Sequence, residues 1–188
     1  MDFNKIAELI KLRRTIHDYE AKPSSWEEIK NCLELGLWSM NHKHTHPWRF
    51  FRTGPKVREE LAHLMVELKS VKKARPSDAI VHSMKEKILN PSEVLLLAQP
   101  SDVEPHQLLE DYATISGAVH LIALGLCALG LGSKWSTGGW TTHPKTYELL
   151  GIDPSKLILR GALIMGWAKH PPPMPSRPLL EEVLFETH

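Results

Sequence analysis

Apolar residues recur at helical spacing from the start of the chain, with Ile6, Leu9 and Ile10 on one side and Asp2 placed as an N-cap. A first helix is expected to run into Leu12–Arg13–Arg14–Thr15, where the pattern stops. Pro23–Ser24–Ser25 ahead of Trp26–Glu27–Glu28 forms a Ser-x-x-Glu capping box in either register, and Ile29, Leu33 and Leu37 continue one face of a second helix. Met40 to Pro47 is a polar loop, followed by Trp48–Arg49–Phe50–Phe51–Arg52 with the composition of a strand. Pro55 restarts a helix whose face is Val57, Leu61, Leu64, Met65 and Leu68.

Residues 69–92 are rich in Lys, Ser and Pro, predict one short helix over Asp78–Leu89, and are expected to be the most mobile part of the fold. Val94–Leu95–Leu96–Leu97–Ala98 predicts a short buried strand. Tyr112 to Gly132 carries no Asp, Glu, Lys or Arg over 21 residues, long enough to cross a hydrocarbon core. Thr114, Ser116 and His120 dilute it, however, and mean hydropathy is −0.24, so a central helix buried on all sides is the expectation rather than a membrane span. Its small residues, Gly125 among them, would let another backbone approach closely. Gly132–Ser133 is expected to end that helix, leaving Lys134 to Trp140 as a turn; Thr142 and Pro144 start a short helix closing at Gly151, and Leu157 to Trp167 reads as a strand. The tail from His170 holds five prolines (Pro171, Pro172, Pro173, Pro175, Pro178), which dictate an extended arm. The expectation is one α+β domain over 1–188, a small, mostly antiparallel central sheet wrapped by helices, with 168–188 as a C-terminal arm.

Composition narrows the function. With 42% hydrophobic residues and a formal charge of +1 the chain can build a core and has no bias towards polyanions, which argues against nucleic-acid binding. Cys32 and Cys127 lack a CxxC spacing, and no basic region followed by an apolar one opens the chain, so a reducing, cytoplasmic setting without a signal peptide is expected. Gly125 and Gly130 have the outer spacing of a phosphate loop, but Leu131 and Gly132 stand where Lys and Ser/Thr are required. There is no GxGxxG after an early strand and no GxSxG elbow, so a Rossmann domain and nucleophilic catalysis have no support. His42, His44 and His46 alternate; in an extended segment three imidazoles would share one side and could bind zinc, copper or nickel. No carboxylate or thiolate lies in that loop, so contact with another bound group is favoured over both a metal site and a merely solvated loop. Arg13 and Arg14 could do no more than complement a helix C-terminus.

Arg13–Arg14–Thr15, followed some 25 residues later by Asn41–His42–Lys43–His44–Thr45–His46–Pro47–Trp48, resembles the nitroreductase family of flavoenzymes. Ala128 to Gly132, Trp135–Ser136–Thr137–Gly138, Leu163 to Gly166 and Arg177–Pro178 are similar to family counterparts in the same order, with the small NAD(P)H nitroreductases the nearest likeness. The resemblance implies an intertwined homodimer with FMN at each interface site and NADH or NADPH as hydride donor to the flavin N5. A nitroaromatic, quinone or similar small acceptor would be reduced in a ping-pong cycle, with no catalytic side chain demanded. It implies that Arg13 and Arg177 bind the phosphate, that Arg14 and Thr15 contact the phosphate, ribityl chain or isoalloxazine edge, that Asn41, His42 and His44 reach the flavin of the other subunit, and that Trp135, Ser136, Thr137 and Gly138 form the turn beside the reactive edge. Met40, Asn41 and His42 replace the family's common Pro-Ser-Ser, and His44 and His46 its Asn and Gln. A flavin-binding redox sensor without turnover, or a metal-binding histidine protein, are the competing functions.

Overall fold

The computed structural model describes residues 2–72 and 76–187. Its centre is a four-stranded antiparallel sheet of β1 (Arg49–Arg52), β2 (Glu93–Pro100), β3 (Gly132–Ser136) and β4 (Leu157–Gly166), in the order β1-β2-β4-β3. β2 is inner, and Val94 to Ala98 are at most 1% exposed, because helices cover both faces of the sheet. Period-2 alternation sorts its side chains: Val94, Leu96 and Ala98 pack with Leu61, Leu64, Ile88 and Ile164, whereas Leu95 and Leu97 pack with Ile29, Ile115, Ile122, Leu163 and Met165.

The first face is covered by α3 (Pro55–Lys72) and α4 (Asp78–Leu89). Arg58 ties them together, its guanidinium donating to the carbonyls of Ile88 at 2.7 Å and Leu89 at 2.9 Å. Part of the stretch expected to be mobile, residues 73–75, lies outside the described residues. The second face is covered by α2 (Trp26–Gly36) and α5 (Pro105–Ala128), with the Ser25 hydroxyl accepting from the Glu28 amide at 3.4 Å as the capping box requires. A Cβ on Gly125 would fall 2.7 Å from Leu35 Cδ1 and 3.2 Å from Cys32 Sγ, so the glycine eases the close crossing of α2 and α5. Leu37, expected on the buried face of the second helix, is exposed because α2 ends at Gly36.

The long apolar helix differs from expectation in two ways. It stops at Ala128, and Gly130, at φ +76°, turns the chain so that Gly132–Ser136 pairs with β4 as a strand that the glycine punctuation had concealed. It is also not buried all round: Thr114, Ile115, Ala118, Val119 and Ile122 face inward while Ala113, His120 and Ala128 are exposed. By length and composition alone α5 could cross a membrane, but its inner face is packed on the sheet.

α1 (Phe3–Leu12) begins where Asp2 Oδ1 accepts the Asn4 amide at 2.9 Å, yet buries none of its residues, leaving Phe3, Ile6, Ile10 and Leu12 open. α6 (Pro144–Leu150) closes at Gly151 as expected. The tail from His170 is extended and exposed, except for one 3-10 turn at Leu180–Glu182, beyond the last proline.

Candidate functional site

The segment after α1 runs along the free edge of β3. Thr15 pairs with Ser133 in a parallel bridge, the Ile16 amide donates to the Ser133 carbonyl at 3.0 Å, and Tyr19 bridges Ala168. Arg14 turns back on its own helix and donates to the carbonyls of Lys11 and, at 2.8 Å, Arg13, so one of the two arginines does complement a helix C-terminus. Arg13 differs: its Nε is buried and has no hydrogen-bond partner among the described residues. Both line a cavity of about 500 Å³ to which the tail brings Arg177, with Lys11 and His120 completing its polar walls and no carboxylate among the lining residues. Three guanidinium groups from opposite ends of the chain therefore meet, and the orphaned Arg13 N–H fits an anion with several oxygens, such as a phosphate.

A second cavity, of about 490 Å³, opens beside β3. Along that strand Lys134 and Ser136 point into it, together with His17 and Tyr19 from the edge segment, Gly138, Gly139 and Trp140 beyond the strand, and His143. α3 and α4 contribute Met65, Leu68, Lys69, Lys87 and Ile88. The Tyr19 hydroxyl donates to a carbonyl, with those of Ile16 and Ile164 each at 3.1 Å, which fixes this wall. Burial first, then repulsion from Lys87 and Lys69, lowers the Lys134 pKa against the pull of Asp18. Burial first, then Lys134 and Lys87, lowers that of His17, again opposed by Asp18. Both groups already have cations near them, which favours an electron-rich or anionic guest.

Alternation also corrects the reading of Trp135–Ser136–Thr137–Gly138 as one turn. Trp135 belongs to β3 and faces the other way, its Nε1 donating to the Arg160 carbonyl at 3.2 Å and its ring 6.0 Å from that of Tyr112. Gly161 lets the indole lie there: its φ is +128°, and a Cβ would stand 2.6 Å from both the Ser136 oxygen and Trp135 Nε1. Thr137 is exposed outside the cavity, so Ser136 and Gly138 are the members of this motif that line it. The residues sequence reasoning missed are His17, Lys134, Gly139, Lys69 and Lys87. Lys134 could have been found only by reading Gly132–Ser136 as a strand, whose period of two joins it to Ser136; Lys69 and Lys87 sit in a stretch whose composition suggested mobility and one short helix but no site.

The histidine loop is not extended. His42–His44 form a 3-10 turn, and Lys43, His44 and His46 have φ of 57°, 50° and 48°, so the alternation that would align three imidazoles is broken. Among the described residues no group of three His, Cys, Asp or Glu side chains is placed to hold a metal. His42 Nδ1 lies 2.9 Å from Glu110 Oε1, and Thr45 donates to Asp111 at 2.6 Å, pinning the loop to α5. Asn41 is engaged at both ends, donating to Thr45 at 2.9 Å and accepting from the His46 amide at 2.9 Å. His44 remains exposed. Within one chain the loop lines neither cavity.

The nitroreductase family model matches residues 10–167. YdjA of Escherichia coli (strain K12), a candidate NAD(P)H nitroreductase by name, is 23% identical over 159 residues, 85% of this chain and 86% of that protein. A nitroreductase-like protein of Bacillus cereus superposes with a TM-score of 0.83 at 22% identity, over 100% of this chain and 98% of the other. A candidate nitroreductase of Desulfovibrio desulfuricans, solved in complex with FMN, superposes with a TM-score of 0.76 at 21% identity, over 100% and 99% of the two chains. At these identities the structural likeness speaks to the fold.

Proposed function

The chain belongs to the nitroreductase family, and from that premise we propose that it is an FMN-dependent oxidoreductase drawing hydride from NADH or NADPH and passing it to a nitroaromatic, quinone or similar small acceptor. The observation that carries this reading is the buried, partnerless Nε of Arg13 in a cavity shared with Arg14 and Arg177. Those guanidinium groups suit the phosphate, Arg13 and Arg177 by donating to it directly and Arg14 mainly by its charge, since its Nη1 holds the Lys11 and Arg13 carbonyls. Thr15, exposed between Arg13 and His17, suits the ribityl chain, and the cavity of His17, Lys134, Ser136 and Gly138 suits the ring system. When bound, FMN supplies the two-electron chemistry. The chain contributes charge and shape: Lys134 and His17 stabilise negative charge that builds up nearby, Trp135 stiffens the strand from its far side, and Met65 and Leu68 supply apolar surface on the helical side.

We take residues 1–188 as one such domain and propose that it works as an intertwined homodimer. The unburied apolar face of α1 and the exposed Met174, Leu179, Leu180 and Phe185 of the 168–188 arm support this, since isolated chains rarely leave so much apolar surface open. In that dimer the 41–46 loop of one subunit, with Asn41, His42 and His44, would meet the flavin of the other. Two unpaired thiols, Cys32 and Cys127, suit a reducing, cytoplasmic setting.

The purified protein is expected to be yellow, to release FMN on heating, to bleach with NADH or NADPH, and to recover its colour only when an acceptor is added. Flavin without bleaching would favour a redox sensor. A colourless protein that takes up no added FMN would overturn the proposal.

A further inference from the structure

Asp111 is a buried acid without a task in either cavity. It is 1% exposed, stands directly before the charge-free run of α5 that begins at Tyr112, and among the described residues takes part in no ion pair. Its Oδ1 instead collects two donors, the Thr45 hydroxyl at 2.6 Å and the Gln107 amide at 2.9 Å. Thr45 belongs to the 41–46 loop, where Lys43, His44 and His46 all have positive φ. Left-handed backbone costs an L residue free energy, so three such residues within four positions persist only where the surroundings over-determine them. Asn41 braces the loop from inside, donating to Thr45 and accepting from the His46 amide. Three side-chain contacts then tie it to α5. Asn41 to Thr114 is long at 3.5 Å, His42 to Glu110 is open to solvent on the imidazole side, and Thr45 to Asp111 alone ends on a carboxylate shut away from water. Held in this shape, His44, His46 and Trp48 form a row with ring centroids 6.2 and 5.7 Å apart, its two imidazoles exposed.

We propose that Asp111 is a positioning residue: through the Thr45 hydroxyl it fixes the strained 41–46 loop, and His44 with it, in the shape that meets the flavin of the other subunit. This rests on the reading that the loop meets that flavin. It goes beyond that reading because it gives a buried carboxylate of α5, outside both cavities, a bearing on a site in the second copy of the chain. A carboxylate suits the task better than a neutral acceptor, since a charge-assisted bond is shorter and roughly twice as strong, and its dry surroundings strengthen it further. Gln107, donating to the same oxygen from one turn earlier on α5, keeps that oxygen turned towards the loop.

The test uses the full-length protein and two readouts. Trypsin cleavage after Lys43, identified by fragment mass, reports how often the loop is released, because cleavage tracks the population of the open form. Fluorescence titration with FMN reports whether the loop matters to the flavin, since apparent affinity falls with the fraction of chains whose loop is in place. Thr45→Val, which keeps the shape and loses the hydroxyl, is expected to speed cleavage after Lys43 about tenfold or more and to weaken FMN about threefold. Thr45→Ser, which restores a hydroxyl, should stay within about twofold of the parent in both. Asp111→Asn, which keeps an acceptor oxygen and loses the charge, should fall between them. Gln107→Leu removes the other donor to Asp111 without a hydrogen bond to the loop, so it controls for a general loosening of α5 and should leave cleavage after Lys43 within about twofold. Parent-like cleavage in Thr45→Val, equal loosening by Gln107→Leu, or a released loop with unchanged FMN affinity each overturns the proposal. Should Asp111→Asn fail to fold, the Thr45 pair decides alone. A parent protein that takes up no FMN would sink the flavin reading instead, and cleavage after Lys43 would still decide whether Asp111 holds the loop.

Discussion

Arg13 and Arg14 are neighbours of one residue type, yet replacing each by alanine should have opposite consequences. Arg13 Nε is buried without a partner, so in the absence of cofactor the Arg13→Ala change removes a desolvation cost of about 1 to 3 kcal/mol and loses the packing of the aliphatic stem. The two effects offset, and the cofactor-free protein should keep its stability to within about 1 kcal/mol. With FMN the balance reverses, because a charge-assisted bond to phosphate contributes about 1.5 to 3 kcal/mol, or roughly 10- to 150-fold in Kd. At an FMN concentration of about 100 times the parent Kd, ligand stabilisation of about 2.7 kcal/mol should fall to between about 1.4 and 0.3 kcal/mol. Arg14→Ala instead removes donors to the Lys11 and Arg13 carbonyls, and should cost the cofactor-free protein about 1 to 2 kcal/mol. Thermal unfolding of both variants with and without FMN, beside a fluorescence titration of FMN affinity, separates the two patterns. An Arg13→Ala protein that binds FMN as tightly as the parent, or that is destabilised without FMN as much as Arg14→Ala, would refute the reasoning.

Arg177→Ala should weaken FMN by a similar factor without altering cofactor-free stability, since among the described residues its side chain bonds only the adjacent Ser176 carbonyl; an unchanged titration would remove it from the phosphate site. Gly161→Ala should cost about 2 to 5 kcal/mol, from left-handed strain plus a clash with the Ser136 oxygen, and a urea midpoint within error of the parent would contradict the geometry. For His17 the folded pKa lies below the ordinary 6.5, so the unfolded chain takes up the proton first and stability is lost as pH falls through 6.5 and below. His17→Asn should therefore flatten the dependence of Tm on pH between about 5 and 7, and parallel curves for the two proteins would remove His17 as a contributor. Sedimentation should find a dimer at micromolar concentration, with an interface above roughly 2,000 Å²; a folded monomer would count against the reading of α1 and the arm.

The elements that could be read in the sequence were those whose own residues carry their signal. Ser25 and Glu28 announce α2, Pro55 and the Val57–Leu61–Leu64 spacing announce α3, and five consecutive apolar residues announce β2. β3 was hidden because three of its five residues, Gly132, Ser133 and Ser136, are small and it follows a glycine turn; only pairing with β4 makes Gly132–Ser136 extended. Arg13 and Arg177 were legible through family resemblance, but composition could not tell Arg13 from Arg14, since which of two adjacent guanidinium groups folds back depends on the exit angle of α1. The histidine loop misled because alternation implies a shared side only when the backbone is extended, and three positive φ values remove that condition. The roof lysines Lys69 and Lys87 are 18 residues apart on two helices, a convergence that no local pattern encodes.

Strand β3 also sets a rule for altering this protein by insertion or deletion. Lys134 and Ser136 face the cavity and Trp135 faces α5 only because of where each stands in an odd-and-even count from Gly132. One residue added or removed before Lys134 would exchange the two faces, pushing the indole into the cavity and an ammonium group against Ile115 and Val119. Two residues added together would preserve the faces and shift only the pairing with β4. Loops exchanged with relatives between Leu131 and Gly138 should therefore be tolerated according to the parity of their length more than the similarity of their residues.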